Sequence, residues 1–412
     1  MSMDSKLPEI RFKGFSGEWV ENSLGELIDI RSAARVHKEQ WTDAGVPFFR
    51  TSDVVSIYKG QENTKTYISH EVYNSLSEKI GKVTKGDLLI TGGGSIGIPY
   101  LVPNDNPLYF KDADLLWLKN NKKFDGYFLY TFFFSAPFKK HINSISHTGT
   151  IAHYTIEQAK ATPINTCCDE EQTQIGSYFQ KLDSLISQHQ QKYDKLSKFK
   201  KSMLEKMFPK QGKTMPDIRF KGFSGEWEEK ELGELAEIVR GASPRPIEDP
   251  KWFDNQSNVG WLRIRDVTEQ DGRIHYLEQR ISILGQEKTR VLHEKHLLLS
   301  IAASVGKPVI NYVQTGVHDG FLIFKKPLFE LEFMYQWLKS FEAKWQQFGQ
   351  PGSQVNLNSD IVKSQTVTIP TKEEQIAIGN YFQKLDALIS RHQQQITKLN
   401  NIKQACLSKM FV

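Results

Sequence analysis

Two stretches of this chain are written twice. Residues 10–19 read IRFKGFSGEW, and residues 218–227 read IRFKGFSGEW again. Residues 170–208, EEQTQIGSYFQKLDSLISQHQQKYDKLSKFKKSMLEKMF, return as residues 373–411, EEQIAIGNYFQKLDALISRHQQQITKLNNIKQACLSKMF. The order is opening motif, variable block, long helical segment, then the same three again. The period is about half the chain, far beyond a solenoid repeat, so each copy should be a whole domain plus a helix. The blocks between the repeats barely resemble each other. A frame kept alike around two unlike modules implies two related tasks on two different targets.

The variable blocks alternate short β-rich runs with turn clusters. Val46 to Arg50, Asp87 to Thr91 and Leu115 to Leu118 are such runs; Gly92-Gly-Gly-Ser95 and Pro103-Asn-Asp-Asn-Pro107 separate them. That pattern predicts a mixed, mainly β domain. One aromatic-rich helix is expected over 124–141. The two blocks still align faintly. Phe49-Arg50 with Asp53-Val54 faces Leu262-Arg263 with Asp266-Val267, and 85–97 faces 296–306. The expected class is α+β: mixed, mainly β domains at 7–168 and 218–371, helices at 169–208 and 372–412, and a linker at 209–217.

The helical segments carry a heptad. Ile175, Leu182, His189 and Leu196 recur every seven residues, as do Ile378, Leu385, His392 and Leu399. Tyr178, Leu185 and Phe199 fill the d positions of the first, with Lys192 as the exception, Phe179, Ile186, Tyr193 and Met207 widen its stripe, and Tyr381, Leu388 and Ile402 fill the d positions of the second. Such a stripe predicts a coiled coil. The partner of each helix is the other copy, giving an antiparallel pair with a pseudo-two-fold axis; the alternative is packing of each helix on its own domain. His189 and His392 then sit at equivalent seam positions, as packed, hydrogen-bonded histidines or as a metal pair or pH sensor.

Catalytic constellations fail on inspection. Gly212-Lys213-Thr214 ends like a phosphate-binding loop, but Met207 stands where its first glycine belongs. Asn106-Pro107-Leu108-Tyr109 misses the tetrapeptide of amino methylation, and no HExxH or Cys/His metal cluster occurs. Three cysteines, two of them adjacent, fit no disulfide framework, so the expected compartment is the cytoplasm. No run of 18 apolar residues predicts a membrane span. Net charge is +5, a mild basic bias that permits a nucleic-acid partner. Candidate contacts follow from it. Arg31, Arg35 and Lys38 follow the first opening segment, and Arg240 and Arg245 occupy the corresponding place in the second. Arg50, Arg263 and Arg265 flank strand-like runs. Thr148 and Thr150, and Ser353 and Gln354, lie in polar loops before the helices. Arginine can clamp phosphates or read guanine edges, and hydroxyls and amides can reach bases; ordinary solvated charge remains the alternative for any one of them.

The layout resembles the specificity subunit of a bacterial type I restriction–modification system over nearly the whole chain. The residues that carry the resemblance are Pro8 to Trp19 with its copy Pro216 to Trp227, the Glu-Glu-Gln at 170–172 and 373–375, and Tyr-Phe-Gln-Lys-Leu-Asp at 178–183 and 381–386. The resemblance implies that each variable block reads one half of a split, asymmetric site on double-stranded DNA. It implies that the helices dock two modification (methyltransferase) subunits, which restriction subunits join to form the nuclease and translocase. S-adenosylmethionine, ATP and Mg would be bound only by those partners, with no metal and no cofactor in this chain. Alternatives are a standalone methyltransferase or nuclease and a coiled-coil adaptor without DNA binding.

Overall fold

A computed structural model describes residues 6–146, 153–210, 212–302, 305–348 and 357–412. The chain divides into two compact units, 1–190 with 393–412, and 191–392. Each long helix, Asp169–Met207 and Lys372–Lys409, therefore gives its first half to one unit and its second half to the other.

Both units are built on one plan. In the first, the main sheet runs in the order Asp29–Arg31, Leu115–Lys119, Leu88–Thr91, Pro99–Leu101, all antiparallel. In the second, it runs Glu237–Arg240, Phe321–Lys325, Leu297–Ser300, Pro308–Asn311, and then adds Arg273–Ile274 in parallel. Leu88–Thr91 and Leu297–Ser300 are covered on both faces, which is why they read as unbroken apolar runs. A smaller sheet in each unit contains a parallel pair, Val46–Phe49 with Tyr109–Phe110 and Gly260–Leu262 with Thr315–Val317. The faint alignment of the blocks is thus an alignment of strands.

The helix expected over 124–141 is two helices, Gly126–Phe132 and Ala136–Ser146. Pro137 is the reason. It has no N–H to continue the first helix, yet it is tolerated in the first turn of the next.

The repeated motifs turn out to be parts of one clamp. Arg11 grips Glu171 through Nε and Nη2, both at 2.7 Å, and Arg219 grips Glu374 at 2.7 and 2.6 Å. Glu171 and Glu374 are buried. The same arginines donate to the carbonyls of Gly17 and Gly225, both at 2.5 Å. Those glycines have φ of +87° and +84°, a backbone that side chains disfavour, so GFSG is kept in both copies. Trp19 and Trp227 are buried beneath the turns. Hydrogen bonding to the Glu171 carboxylate holds the Arg11 pKa above the usual arginine range, and Glu374 does the same for Arg219.

The helix ends are exchanged. In the first unit, Phe411 packs on Trp19, Phe128 and Phe179. In the second, Phe208 packs on Trp227, Phe333 and Phe382. Burying a phenylalanine contributes about 1.5–3 kcal/mol. Within each unit the helix segments run antiparallel: Asp183 meets Lys403 at 2.6 Å and Tyr178 meets Cys406 in the first, and Asp386 meets Lys200 at 2.5 Å in the second. Each helix also packs on its own domain, so the two packing expectations hold together. The d column needs correction. Phe199 and Leu388 are 44% and 42% exposed, whereas Phe179 and Phe382 are fully buried and Ile396 nearly so. Beside the a column, residues four positions on are the more deeply buried, while Tyr178, Tyr381 and Ile402, three positions on, pack half-buried. Ile175, Leu182, Ile378 and Leu385 are buried; Leu196 and Leu399 pack half-buried, and His189 and His392 are half-buried as well.

Candidate nucleic-acid interface

The motif Arg-x-x-Asp has the same geometry in both units. Arg50 and Arg263 stand just before the helices Thr51–Lys59 and Ile264–Glu269. Their backbone N–H groups donate to Asp53 and Asp266 at 2.8 and 2.9 Å. Their guanidinium groups grip the same carboxylates in two-point contact, at 2.9 and 3.2 Å and at 3.1 and 2.9 Å. Asp53 and Asp266 are buried, so both arginines are committed to capping a helix and neutralising a buried acid. Arg50 also donates to the Thr64 carbonyl at 2.6 Å, and Arg263 reaches Glu278 at 3.3 Å. Arg265, the second residue of its helix, differs: its side chain is 68% exposed and pairs with exposed Glu269.

A second cluster gathers behind the strand Glu237–Arg240. Arg240 donates to the Asp319 carbonyl at 2.6 Å, and Arg245 and Ser243 reach the Asp319 carboxylate at 2.7 and 2.6 Å. Burial opposes the charge on Asp319, but Ser243, Arg245 and Arg240 outweigh it and hold its carboxyl below the usual range. Thr289 ties the same loop down through the Ala242 carbonyl at 2.5 Å, and Arg290 through the Arg240 carbonyl at 2.6 Å. The loop thus presents the exposed Arg245 guanidinium from a fixed base.

The matching place in the first unit is looser. Asp29 stands opposite Lys119 as Glu237 stands opposite Lys325, so Arg31 aligns with Val239 rather than Arg240. A shift of one residue puts a side chain on the other face of a strand, and Arg31 instead pairs with Asp29 and reaches the Ile80 carbonyl at 3.5 Å. Arg31 and Arg240 are therefore not counterparts, which corrects the sequence alignment. Arg35 and Lys38 are exposed and make no ion pair among the described residues. Thr148, Thr150, Ser353 and Gln354 lie outside the described residues. Sequence reasoning missed Asp319 and Arg290, which organise the second cluster. It also left Arg11 and Glu171 unpaired, although their recurrence together in both copies was the signal.

A family model described as the type I restriction modification DNA specificity domain matches residues 16–198 and again 224–401. The chain belongs to this family. Its task is accordingly DNA specificity and not catalysis. A putative type I restriction enzyme specificity subunit from Haemophilus influenzae is 26% identical over 166 residues, and the match spans 40% of each chain. The putative type I restriction enzyme MjaX specificity subunit of Methanocaldococcus jannaschii is 24% identical over 96% of this chain and 93% of its own. The crystal structure of a type I restriction–modification S subunit from M. genitalium shares the fold, with a TM-score of 0.65, 15% identity and coverage of 98% of this chain and 99% of that one. No helix among the described residues is long and apolar enough to cross a membrane.

Proposed function

We propose that each unit reads one half of a bipartite, asymmetric site on double-stranded DNA, and that the chain thereby directs methylation and cleavage by a type I complex. The observation that supports this reading is one clamp repeated in two units that carry unlike arginine surfaces. The Arg11–Glu171 and Arg219–Glu374 pairs have the same geometry, whereas the Asp319 cluster has no counterpart among the described residues of the first unit. A duplicated frame with two unlike surfaces suits a split target, as two-fold symmetric readers suit palindromes. Arg245, Arg265, Arg35 and Lys38 are the arginines and lysine we assign to DNA. Arg240 steadies Arg245, Arg31 lies at the margin, and Arg50 and Arg263 hold the reader helices in place. Thr148, Thr150, Ser353 and Gln354 remain assigned from sequence.

The partners in this reading are two modification (methyltransferase) subunits, docked on the repeated helices, and restriction subunits. S-adenosylmethionine, ATP and Mg are assigned to those partners. Three free cysteines, Cys167, Cys168 and Cys406, support a cytoplasmic setting. The test is methylome sequencing after block 28–168 is exchanged for that of a relative. One half of the methylated site should change and the other should not. A change in both halves, or in neither, refutes the two-reader assignment.

A further inference from the structure

The second unit closes the outer edge of its main sheet with its own chain. Arg273–Ile274 lies parallel to Pro308–Asn311, and the N–H groups of Ile310 and Tyr312 donate to the carbonyls of Gly272 and Ile274, each at 2.8 Å. Arg273 then reaches Glu332 at 2.9 and 2.7 Å and Asp386 at 3.1 Å, with its guanidinium 4.5 Å from the Tyr335 ring.

In the first unit the matching strand, Pro99–Leu101, is the last of its sheet. Leu101 stands opposite Leu88 as Ile310 stands opposite Leu297. The neighbouring Val102 turns its backbone inward, donating to Asp87 at 2.9 Å and accepting from Gly86 at 3.0 Å. Backbone direction alternates along a strand, so the Leu101 N–H and carbonyl turn outward. Neither finds a partner among the described residues. They face a cleft of about 1280 Å³, lined wholly by the first unit. Ile57 and Tyr58, 50% and 54% exposed, form an apolar rim.

The charge of this cleft differs from that of its counterpart. Asp183 is already met by Lys403 at 2.6 Å and by the Tyr127 hydroxyl at 2.7 Å. Phe128 and Phe333 are matching residues, so Tyr127 stands where the second unit has Glu332. At that place a phenol replaces the carboxylate that grips Arg273 in the second unit. Lys85, Lys122 and Lys139 line the same cleft, exposed and without an ion pair among the described residues, while Asp125, also in the lining, accepts from the Tyr127 and Phe128 N–H groups at 3.0 and 2.8 Å.

We propose that this cleft docks an extended, acidic segment of a partner protein, which adds to Pro99–Leu101 the parallel strand that the second unit supplies for itself. Outward backbone groups call for a polypeptide backbone. Three uncompensated lysines call for carboxylates beside it. Pro103 stands at the place of Tyr312 and has no N–H, so the added ladder ends at Leu101 and the docked strand is short. The proposal is independent of which DNA the chain reads.

The probe is a fluorescein-labelled hexapeptide, Asp-Gly-Glu-Ile-Glu-Tyr, patterned on residues 271–276 with glutamate in place of Arg273 and His275. Its control carries lysine at those two positions. Anisotropy titrations use the full chain. The acidic peptide should saturate below about 1 mM and the lysine control should bind at least roughly tenfold more weakly. Leu101→Pro removes the outward N–H while sparing every inward bond, and should weaken the acidic peptide about tenfold. The pair Lys122→Glu and Lys139→Glu should do the same, whereas Lys288→Glu in the second unit should leave binding unchanged. No saturation at about 1 mM, equal binding of the lysine control, or indifference to Leu101→Pro overturns the proposal. So does displacement of the peptide by a short duplex at equal strength in the wild type and Leu101→Pro, which would give the lysines to nucleic acid.

Discussion

The Arg11–Glu171 clamp can be tested by removing one side. In Arg11→Ala the Glu171 carboxylate, with no exposed surface, stays buried but loses its cation and both hydrogen bonds of the two-point contact. Removing one partner of a buried pair costs about 3–5 kcal/mol. The arginine side chain is 16% exposed, so screening trims the figure towards the lower end, about 3 kcal/mol. A domain of roughly 150–250 residues loses about 2–4 °C of melting temperature per kcal/mol. The transition of the first unit should therefore fall by about 6–12 °C in calorimetry. Arg219→Ala should do the same to the transition of the second unit, because Arg219 and Glu374 lie wholly within it. The double variant Arg11→Met with Glu171→Leu should recover most of the loss, since an uncompensated charge is what costs energy. It will not recover all, because Arg11 also holds the Gly17 carbonyl. A fall below about 2 °C for Arg11→Ala, or a double variant as unstable as the single one, would refute the reasoning.

Leu385→Ala should destabilise the second unit by about 2–5 kcal/mol, while Leu388→Ala, at an exposed position of the same helix, should cost less than about 1 kcal/mol; equal losses in denaturant titrations would restore the a/d seam. Arg265→Ala should lower DNA affinity with the fold intact, and a direct guanine contact would add about 1–3 kcal/mol of discrimination in competition with point-changed sites. Arg263→Ala should instead lower the melting temperature, since it strands buried Asp266; a DNA effect of Arg263→Ala without a stability loss would reverse the two roles. Burial depresses the pKa of His318 despite Asp319 at 3.9 Å, and its Nδ1 accepts from the Gly320 N–H at 2.8 Å, so the neutral ring is the folded form. A depressed folded pKa gives stability that is full above the unfolded value of about 6.5 and declines as pH falls below it. The melting temperature of the second unit should drop between about pH 6.5 and 5 by more in wild type than in His318→Asn; parallel curves would disprove the assignment.

The frame was legible in sequence because duplication labels it. Identical opening motifs and long heptad segments marked a two-fold repeat and two long helices. What could not be read was which column of the apolar stripe is buried most deeply. Tyr178 and Phe179 are neighbours of similar character, and only the position of Trp19 and Phe411 decides that Phe179 is the buried one. The site was less legible. Arg50, Arg263 and Arg265 look alike in sequence, yet an aspartate three residues on converts the first two into helix caps, while Arg265 meets exposed Glu269. Arg31 and Arg240 differ by one residue of strand register, which reverses the face they occupy and which no composition argument detects.

The exchange of helix ends explains why the repeats stay alike while the blocks between them diverge. Each long helix answers to two environments. Its first half must fit the opening motif and domain of its own unit, as Glu171 fits Arg11. Its last turn must fit the core of the other unit, as Phe411 fits Trp19, Phe128 and Phe179. The counterpart cores are the same, with Phe208 against Trp227, Phe333 and Phe382. A change at the end of one helix is therefore judged by a pocket that the other copy also presents, and the two copies are held to one solution. The backbone agrees: the Ile10 N–H donates to the Lys409 carbonyl at 3.0 Å, and the Ile218 N–H to the Lys206 carbonyl at 2.9 Å. No such double constraint acts on Arg245, Arg265 or the Asp319 loop, whose contacts stay within one block. Surfaces of that kind can change their chemistry without disturbing either core, and this is the division of labour that a reader of two unlike half-sites requires.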